Sequence, residues 1–244
     1  MNFDNIVNDI LKTNKSNLLQ MIYEGYYDPA IFKAVFMIGG SGSGKTYITK
    51  KLGLAHMGFT QINSDYPLEK YMKKAGLNMK MPESEEKERT KVREKAIAVS
   101  DARIEQVLNE RLGLYIDGTG ANKSDTIAFD ERLKQLGYDT AMVFVNTNLK
   151  TALERNAMRE RTVPESIAER KWHEVQANIG FYKNHFRNFF VIDNSNGMNS
   201  ETERQVTETY KNILKWSKEK PRNQTAINFI NELGRKKGIL PSKK

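Results

Sequence analysis

The sequence predicts an α/β fold in which helices flank a parallel sheet. Short apolar runs of strand length alternate along the chain with longer segments of helical period, as in repeated βα units. Two of these runs, residues 34–38 and 141–146, are almost entirely apolar, which is typical of central strands covered on both faces. A glycine-rich loop directly follows the first run. Because ligands of such sheets bind at the carboxyl edge, the residues after each strand are the candidates for function.

Five segments have the length and composition of strands. They are residues 34–38 (AVFMI), 58–63 (GFTQIN), 114–117 (LYID), 141–146 (AMVFVN) and 189–193 (FFVID). Between the second and third segments, residues 82–113 place apolar side chains near one helical face and charges elsewhere. This pattern predicts one long amphipathic helix that ends at Gly113.

Helical segments also precede and follow the strands, and they set the domain organisation. We expect residues 1–33 to form a helical preface within a main domain over residues 1–200. After the last strand the sequence predicts a helix that Pro221 breaks. A final helical stretch, QTAINFINELGRKKG, either packs on the domain or stands apart. Residues 201–244 are therefore expected to form a helical, basic C-terminal extension.

The positive charge of the chain is concentrated near the C-terminus. The chain carries a net charge of +9, and residues 215–244 alone hold nine Lys or Arg against two Glu. This segment is either a solvated, partly frayed tail or an arm that contacts nucleic acid.

The composition favours a cytoplasmic protein. The chain contains no cysteine, which fits a reducing compartment. Its first residues carry acids and amides where a signal peptide has a basic end and an apolar stretch. No apolar run approaches membrane-spanning length, so we expect no membrane partner.

The segment FMIGGSGSGKTY carries the strongest functional signal, because it satisfies the pattern G-x-x-x-x-G-K-[ST]. The predicted nucleotide-binding residues are Gly39, Gly40, Ser41, Gly42, Ser43, Gly44, Lys45 and Thr46. Glycines allow successive backbone N–H groups to turn inward around phosphate oxygens. Lys45 is expected to reach the β- and γ-phosphates of a triphosphate, and the Thr46 hydroxyl to bind Mg²⁺. The alternative, a flexible Gly/Ser linker, is disfavoured because a strand and a helical segment flank the loop.

Two acids follow the second and third strands at the same predicted edge. Asp65 lies in NSDYP and Asp117 in IDGTG. An aspartate there can accept a proton from an attacking hydroxyl or hold water on Mg²⁺, although each could instead cap a helix or turn. We expect Asp65 to be catalytic, Asp117 to lie near the metal or the substrate, and Thr119 to be a polar substrate contact.

The segment NTNLKTALERNAMRERTVPES follows the fourth strand and contains Arg155, Arg159 and Arg161. Arg155 and Arg159 are four residues apart, so we expect them to share a helical face. Mobile guanidinium groups can close over the transferred phosphoryl group as a lid. The alternative is an ordinary solvated helix.

The remaining candidates point to packing. The three histidines, His56, His173 and His185, are scattered and have no cysteine beside them, so no zinc site is predicted. Six aromatic residues near the last strand favour core contacts over a base-stacking platform. They are Trp172, Phe181, Tyr182, Phe186, Phe189 and Phe190.

Together, GGSGSGKT, NSD, IDGTG and LERNAMRERTVPE resemble the P-loop kinases that include bacteriophage polynucleotide 5′-kinases and zeta-toxin-type kinases. The resemblance covers residues 33–194. It implies a P-loop NTPase fold with a five-stranded parallel sheet in the order 2-3-1-4-5. It also implies that Asp65 is the general base and that the three lid arginines contact the donor phosphates. The sequence departs from the polynucleotide kinases after the base, where SDYPLEKY offers Lys70 in place of a phosphate-binding arginine.

The leading functional hypothesis is an ATP-dependent, Mg²⁺-requiring kinase. Its acceptor would be a hydroxyl of a nucleic acid, either a 5′-OH or a modified base, or of a nucleotide-like molecule. A phage-encoded enzyme of this kind would act in the host cytoplasm. Two alternatives remain, a toxin-like nucleotide-sugar kinase and a nucleotide-switched binding module without kinase activity. The preference for ATP over GTP, the acceptor and the oligomeric state stay open.

Overall fold

The computed structural model describes residues 30–241 of the chain. Most of the predicted helical preface, residues 1–29, and the last three residues of the basic tail lie outside the described residues.

A five-stranded parallel sheet forms the centre of the molecule, and its strand order is β2-β3-β1-β4-β5. The strands are β1 (Lys33–Ile38), β2 (Thr60–Ile62), β3 (Leu114–Asp117), β4 (Asp139–Asn146) and β5 (Asn188–Asp193). The predicted order and the predicted parallel α/β architecture are both confirmed. Ala34 of β1 lies beside Leu114 on one side and Thr140 on the other, so β1 occupies the middle of the sheet.

Helices connect the strands and cover the sheet. They are α1 (Lys45–Leu52), α2 (Asp65–Lys74), α3 (Glu86–Asn109), α4 (Lys123–Gln135), α5 (Leu149–Ala157), α6 (Glu165–His185), α7 (Ser200–Ser217) and α8 (Gln224–Lys236). Short 3₁₀ turns at Leu54–Met57 and Glu83–Glu85 complete the elements of residues 30–241.

The connection between β2 and β3 differs from the prediction. It contains two helices, and the second, α3, stops at Asn109 instead of continuing to Gly113. Arg111 adopts a left-handed φ of 60°, and Leu112 donates its backbone N–H to Val107 O at 3.1 Å, which closes the helix end. Gly113 serves a different purpose, because a Cβ there would lie 2.7 Å from Ala30 O. The helix was predicted to end at Gly113, but Arg111 adopts the left-handed conformation that closes it.

Two hydrophobic clusters lie on opposite faces of the sheet. Alternate residues of β1 face each side, with Phe36 in one cluster and Val35 in the other. One cluster is covered by α3, α4, α6 and α8, and the other by α1 and α7. Ala226 of α8 is fully buried, so the final helical stretch packs on the domain. Trp216 of α7 is buried against the other face.

A third, smaller cluster joins α2 to α3 through Leu68, Met72 and Ala96. We call the helix pair α2 and α3 the arm, and Asp65 is its first residue. Within residues 30–241 no helix combines the length and the apolar character needed to cross a membrane.

Candidate active site

A cavity of about 690 Å³ opens at the carboxyl edge of the sheet, where α1, α2 and the end of β3 meet. Residues from four separate segments line it: Gly42, Ser43, Gly44, Lys45, Thr46, Tyr47, Gln61, Asn63, Asp65, Tyr66, Glu69, Asp117, Arg155 and Arg159. The cavity therefore brings together most of the predicted site residues. Gly39, Gly40, Ser41, Thr119 and Arg161 lie outside its lining.

The loop between β1 and α1 has a conformation that requires glycine. Gly42 and Gly44 adopt left-handed φ values of 77° and 85°, where a side chain is strained. A Cβ at Gly39 would lie 2.6 Å from Val145 O, and one at Gly44 would collide with the side-chain amide of Asn194. These contacts fix the loop tightly against the sheet, which contradicts the linker alternative. Such close backbone packing with N–H groups at a helix start is what a phosphate site requires.

Three side chains that the sequence analysis did not single out hold this loop in place. The carbonyl of Ser43 accepts hydrogen bonds from Asn194 Nδ2 at 2.8 Å and from Thr147 Oγ1 at 3.3 Å. Ser41 Oγ donates to Asn156 Oδ1 at 2.7 Å. These partners come from 104 to 151 residues further along the chain, so sequence spacing gave no signal for them.

Lys45 begins α1 and folds back over the loop. Its ammonium donates to Gly39 O at 2.7 Å and lies 3.5 Å from Gly40 O. Burial lowers the pKa of Lys45, while the carboxylates of Asp117 and Asp65 oppose that shift. Thr46 follows it on the exposed first turn of α1.

Asp117 ends β3 and faces the same cavity. Burial raises its pKa, whereas the Lys45 ammonium and a 2.8 Å hydrogen bond from Asn63 Nδ2 favour its charged form. Burial, together with the Asp117 carboxylate, also raises the pKa of Tyr115 to about 12. An acid with a raised pKa facing a lysine with a lowered pKa in a cleft is typical of functional sites.

Asp65 is the first residue of α2 and is 56% exposed. Its backbone N–H donates to Asn63 Oδ1 at 2.6 Å, and the amide group of the same Asn63 bonds Asp117. Asn63 therefore fixes the two acids relative to each other. The NSD motif contains this asparagine, but its double contact depends on β2 lying next to β3 and was not predicted.

In the lid segment, the prediction that Arg155 and Arg159 share a helical face is wrong. Arg155 lies on α5, but the helix ends at Ala157, so Arg159 does not share its helical face. The cause is Asn156, which donates to Val163 O at 2.7 Å and accepts from Val163 N at 3.3 Å, so that the chain turns back. Both arginines nevertheless line the cavity: Arg155 Nη1 donates to Asn194 O at 3.0 Å, and Arg159 Nη1 lies 3.5 Å from Ser41 Oγ.

Arg161 does not line the cavity and does not contact the glycine loop between β1 and α1. Its side chain is only 7% exposed, and it pairs with Asp65 Oδ2 and with Glu69 Oε1, both at 2.9 Å. The structure thus places Arg161 beside the two carboxylates of α2, Asp65 and Glu69. Thr119 lies behind the loop, where its carbonyl accepts from Gly39 N at 3.2 Å and its hydroxyl accepts from Ala121 N at 3.2 Å.

The histidines and aromatic residues lie apart from the cavity. His56 and His173 are exposed, whereas His185 lies 2.6 Å from Asp130 Oδ2. The ammonium of Lys134 also contacts that carboxylate at 2.6 Å, so a cation already occupies this cluster. Tyr182 and Phe186 are buried in the core, as expected, while Phe181 is 44% exposed and Trp172 Nε1 donates to Thr147 O at 2.7 Å.

The donor set of the cavity fits Mg²⁺. This ion prefers oxygen ligands, few of them from protein and the rest from water or phosphates. The Thr46 hydroxyl and the Asp117 carboxylate both line the cavity. Together with the glycine loop they form a site whose chemistry suits a metal-bound triphosphate.

A model of the AAA domain family matches residues 35–181. Crystal structures give three likenesses in fold. The AvrRxo1-ORF1:AvrRxo1-ORF2 complex with sulphate ions is 16% identical, with a TM-score of 0.53 over 73% of this chain and 62% of that chain. A candidate kinase from Chloroflexus aurantiacus is 13% identical, with a TM-score of 0.50 over 75% and 95%. A gluconokinase from Sinorhizobium meliloti 1021 is 15% identical, with a TM-score of 0.46 over 76% and 95%. No curated protein matches the chain.

Proposed function

The chain belongs to the AAA domain family, and from this premise and the cavity we propose that it is a kinase. In this proposal the protein uses ATP and Mg²⁺ and transfers the γ-phosphate to a hydroxyl of a nucleotide-like or nucleic acid acceptor. The resemblance of the motifs GGSGSGKT, NSD, IDGTG and LERNAMRERTVPE to those of polynucleotide 5′-kinases and zeta-toxin-type kinases supports the same reaction class.

One observation carries the proposal. The loop lysine Lys45, the acids Asp65 and Asp117, and the arginines Arg155 and Arg159 all line one cavity at the carboxyl edge of the sheet. Phosphoryl transfer needs cationic groups around the transferred phosphoryl and an acid that orients the attacking hydroxyl. Asp65 gives the cavity a proton acceptor on α2 in addition to Asp117 at the end of β3.

On the donor side, the loop N–H groups and Lys45 would hold the phosphate oxygens. Arg155 and Arg159 approach the same space from the lid and would neutralise the charge of the transferred group. Mg²⁺, held by Thr46 and Asp117, would supply further charge neutralisation on the phosphates.

On the acceptor side, Asp65 would take the proton of the attacking hydroxyl. Its Oδ2 is held by Arg161 at 2.9 Å, while Oδ1 accepts no hydrogen bond from the side chains and backbone of residues 30–241. Arg161 therefore orients the carboxylate and leaves one oxygen free to accept the proton. The backbone bond to Asn63 fixes the start of α2.

The test compares nucleotide binding with phosphoryl transfer in two variants. We expect Asp65→Asn to retain ATP binding but to lose transfer of labelled γ-phosphate by about 10²- to 10⁴-fold, as for other general bases. Lys45→Ala should lose both. Lys50→Ala is the matched control, because Lys50 is exposed on the same helix and does not line the cavity.

The result that would overturn the proposal is equally specific. If Asp65→Asn turned over ATP as fast as wild type while Lys45→Ala did not, the turnover would be simple hydrolysis. The nucleotide-switched module would then be the better description of the protein.

A further inference from the structure

A second pocket lies at the amino edge of the sheet, opposite the candidate active site. Its volume is about 370 Å³, and it is lined by Asp139, which opens β4, and by Asn188, which opens β5. Arg187, Trp216 and Arg222 are among its other lining residues, and we call this space the amino-edge pocket. The length of β4, about 23 Å, separates it from the carboxyl edge, so it is a separate site.

Two arginines give the amino-edge pocket its free positive charge. Arg187 lies between α6 and β5, and its side chain forms no salt bridge or hydrogen bond within residues 30–241. Arg222 lies between α7 and α8, and its side chain pairs with Glu219 at 3.3 Å. Both side chains of this pair are exposed at the surface, so the pair contributes at most about 1 kcal/mol and leaves Arg222 available to a ligand.

The other charged groups of the amino-edge pocket are already paired. Lys134 and His185 both line it, and both contact the Asp130 carboxylate at 2.6 Å. Among the described residues, Asp139 is the only carboxylate in the lining, and it pairs with the buried Lys33 at 2.7 Å. The charge that the pocket presents to a ligand is therefore that of its two arginines.

The positive charge continues along the rim of the amino-edge pocket. Trp216 and Arg222 both line the pocket, and the chain between them carries Lys218 and Lys220. Both lysines are exposed, and neither forms a salt bridge with any residue from 30 to 241. Glu219 is the only acid of this stretch. A ligand with several negative charges would therefore contact more of these cations than a single small anion would.

Hydrogen-bond donors beside the arginines suit phosphate groups. Asn188 lines the amino-edge pocket, and its side-chain amide makes no hydrogen bond to the part of the chain that the structure describes. Arginine, lysine and asparagine side chains commonly contact nucleic acid backbones, and one guanidinium group can bind a phosphate through two parallel hydrogen bonds. A protein interface would instead need an apolar centre, whereas the two large aromatic residues of the pocket, Tyr138 and Trp216, are only 1% and 7% exposed.

From these observations we propose that the amino-edge pocket and its rim bind the phosphate backbone of a nucleic acid strand. One phosphate would enter the pocket beside Arg187 and Arg222, and its neighbours along the strand would contact Lys218 and Lys220. This site goes beyond the proposed kinase reaction, because it lies at the opposite edge of the sheet and shares no residue with the main cavity. Residues 218–222 would then be a nucleic acid contact and not a solvated tail.

The experiment measures the binding of a short, fluorescently labelled single-stranded DNA by anisotropy at several salt concentrations. We expect the double variant Arg187→Ala, Arg222→Ala to bind the strand at least about tenfold more weakly than wild type at low salt. Its plot of log K against log salt concentration should be shallower by about 1.4, since each lost phosphate contact removes about 0.7 from the slope. The double variant Arg187→Lys, Arg222→Lys should keep the wild-type slope, because both charges remain.

The matched control is the double variant Lys91→Ala, Lys95→Ala. Both lysines are exposed on α3 and line neither pocket, so this variant loses the same charge from another surface. Circular dichroism establishes that each variant keeps its fold, and ATP binding by calorimetry should be unchanged in all of them. The strand is also titrated into Lys45→Ala, which impairs the main cavity and should bind it as tightly as the control does.

Each outcome decides for or against the amino-edge pocket. An arginine variant that binds as wild type, or a control that loses as much affinity, overturns the inference. Loss of strand binding in Lys45→Ala alone would place the strand in the main cavity instead. A mononucleotide that binds as tightly as the strand would make this a site for small anions, and arginine-dependent binding to phosphatidylserine vesicles without strand binding would make it a membrane contact.

The test is also distinct from that of the proposed function. Arginine-dependent strand binding by a wild-type protein that transfers no phosphate would refute the kinase and support the amino-edge pocket. Phosphoryl transfer by a protein whose strand binding does not depend on Arg187 and Arg222 would support the kinase and overturn the pocket.

Discussion

The ion pair between Lys33 and Asp139 offers a quantitative test of how the sheet is held together. Lys33 opens β1 and is 1% exposed, Asp139 opens β4 and is 18% exposed, and their charged atoms lie 2.7 Å apart. The Lys33 ammonium also lies 5.1 Å from the centre of the Trp216 ring. Asp139→Asn would leave this ammonium buried without its counter-charge.

The expected cost follows from these surroundings. Breaking a buried ion pair costs about 3–5 kcal/mol, and the contact with Trp216 remains and is worth about 0.5–2 kcal/mol. We therefore take the lower end, about 3 kcal/mol. For a domain of this size the unfolding midpoint should fall by about 6–12 °C, since each kcal/mol shifts it by about 2–4 °C.

The assay is thermal unfolding followed by circular dichroism, with Asp101→Asn as the control because Asp101 is exposed on α3. The further replacement Lys33→Met in the Asp139→Asn protein should recover at least half of the loss, because no unpaired charge stays buried. Catalysis at 25 °C should be unchanged, since β1 separates Lys33 from the nucleotide loop by about 20 Å. A midpoint within about 2 °C of wild type for Asp139→Asn would refute the reasoning.

Three further predictions concern the site. Arg161→Met should lower phosphoryl transfer by at least about tenfold, because it misplaces the Asp65 carboxylate that Arg161 holds. Since the partners of Arg161 stay partly exposed, the free energy of unfolding in urea titrations should fall by no more than about 1 kcal/mol. Unchanged transfer would contradict the assigned role. Burial raises the pKa of Asp117 above its ordinary value of 3.8, so in the wild type the Asp117 contribution to stability falls as the pH rises above 3.8. Burial also lowers the pKa of Lys45. The double variant Asp117→Asn, Lys45→Met should lack that pH dependence and have a higher free energy of unfolding at pH 7, while its activity is abolished. A double variant less stable than wild type would contradict this. Gly44→Ala should weaken ATP binding at least tenfold by calorimetry, an effect on the order of the strain of a left-handed alanine, whereas Gly76→Ala, also left-handed but in open space, should bind normally.

The sequence predicted the fold, and it predicted which residues meet at the centre of the candidate site, because both depend on local patterns. The apolar runs locate all five strands, and the glycine pattern locates the loop before Lys45. The acids Asp65 and Asp117 follow strands that turn out to be neighbours, so the rule that parallel strands end at one edge brings them together.

The parts that could not be predicted depend on contacts between distant residues. Arg161 pairs with Glu69 across 92 positions, and nothing in the lid segment distinguishes it from Arg155 and Arg159, which line the cavity. The end of α5 was missed for a similar reason, since the side chain of Asn156 replaces a helical turn and no glycine or proline marks that residue.

The contacts of Arg161 belong to a wider attachment between the lid segment and the arm. Lys73 pairs with Glu160, and Thr162 N donates to Met79 O at 3.2 Å. Lys80 Nζ reaches Arg159 O at 3.1 Å. Because these contacts join the two segments, a displacement of the arm would also displace the lid segment. In the proposed kinase, the acceptor side and the donor side of the cavity should therefore open together. Both substrates of the proposed kinase would then enter and leave the cavity in the same open state.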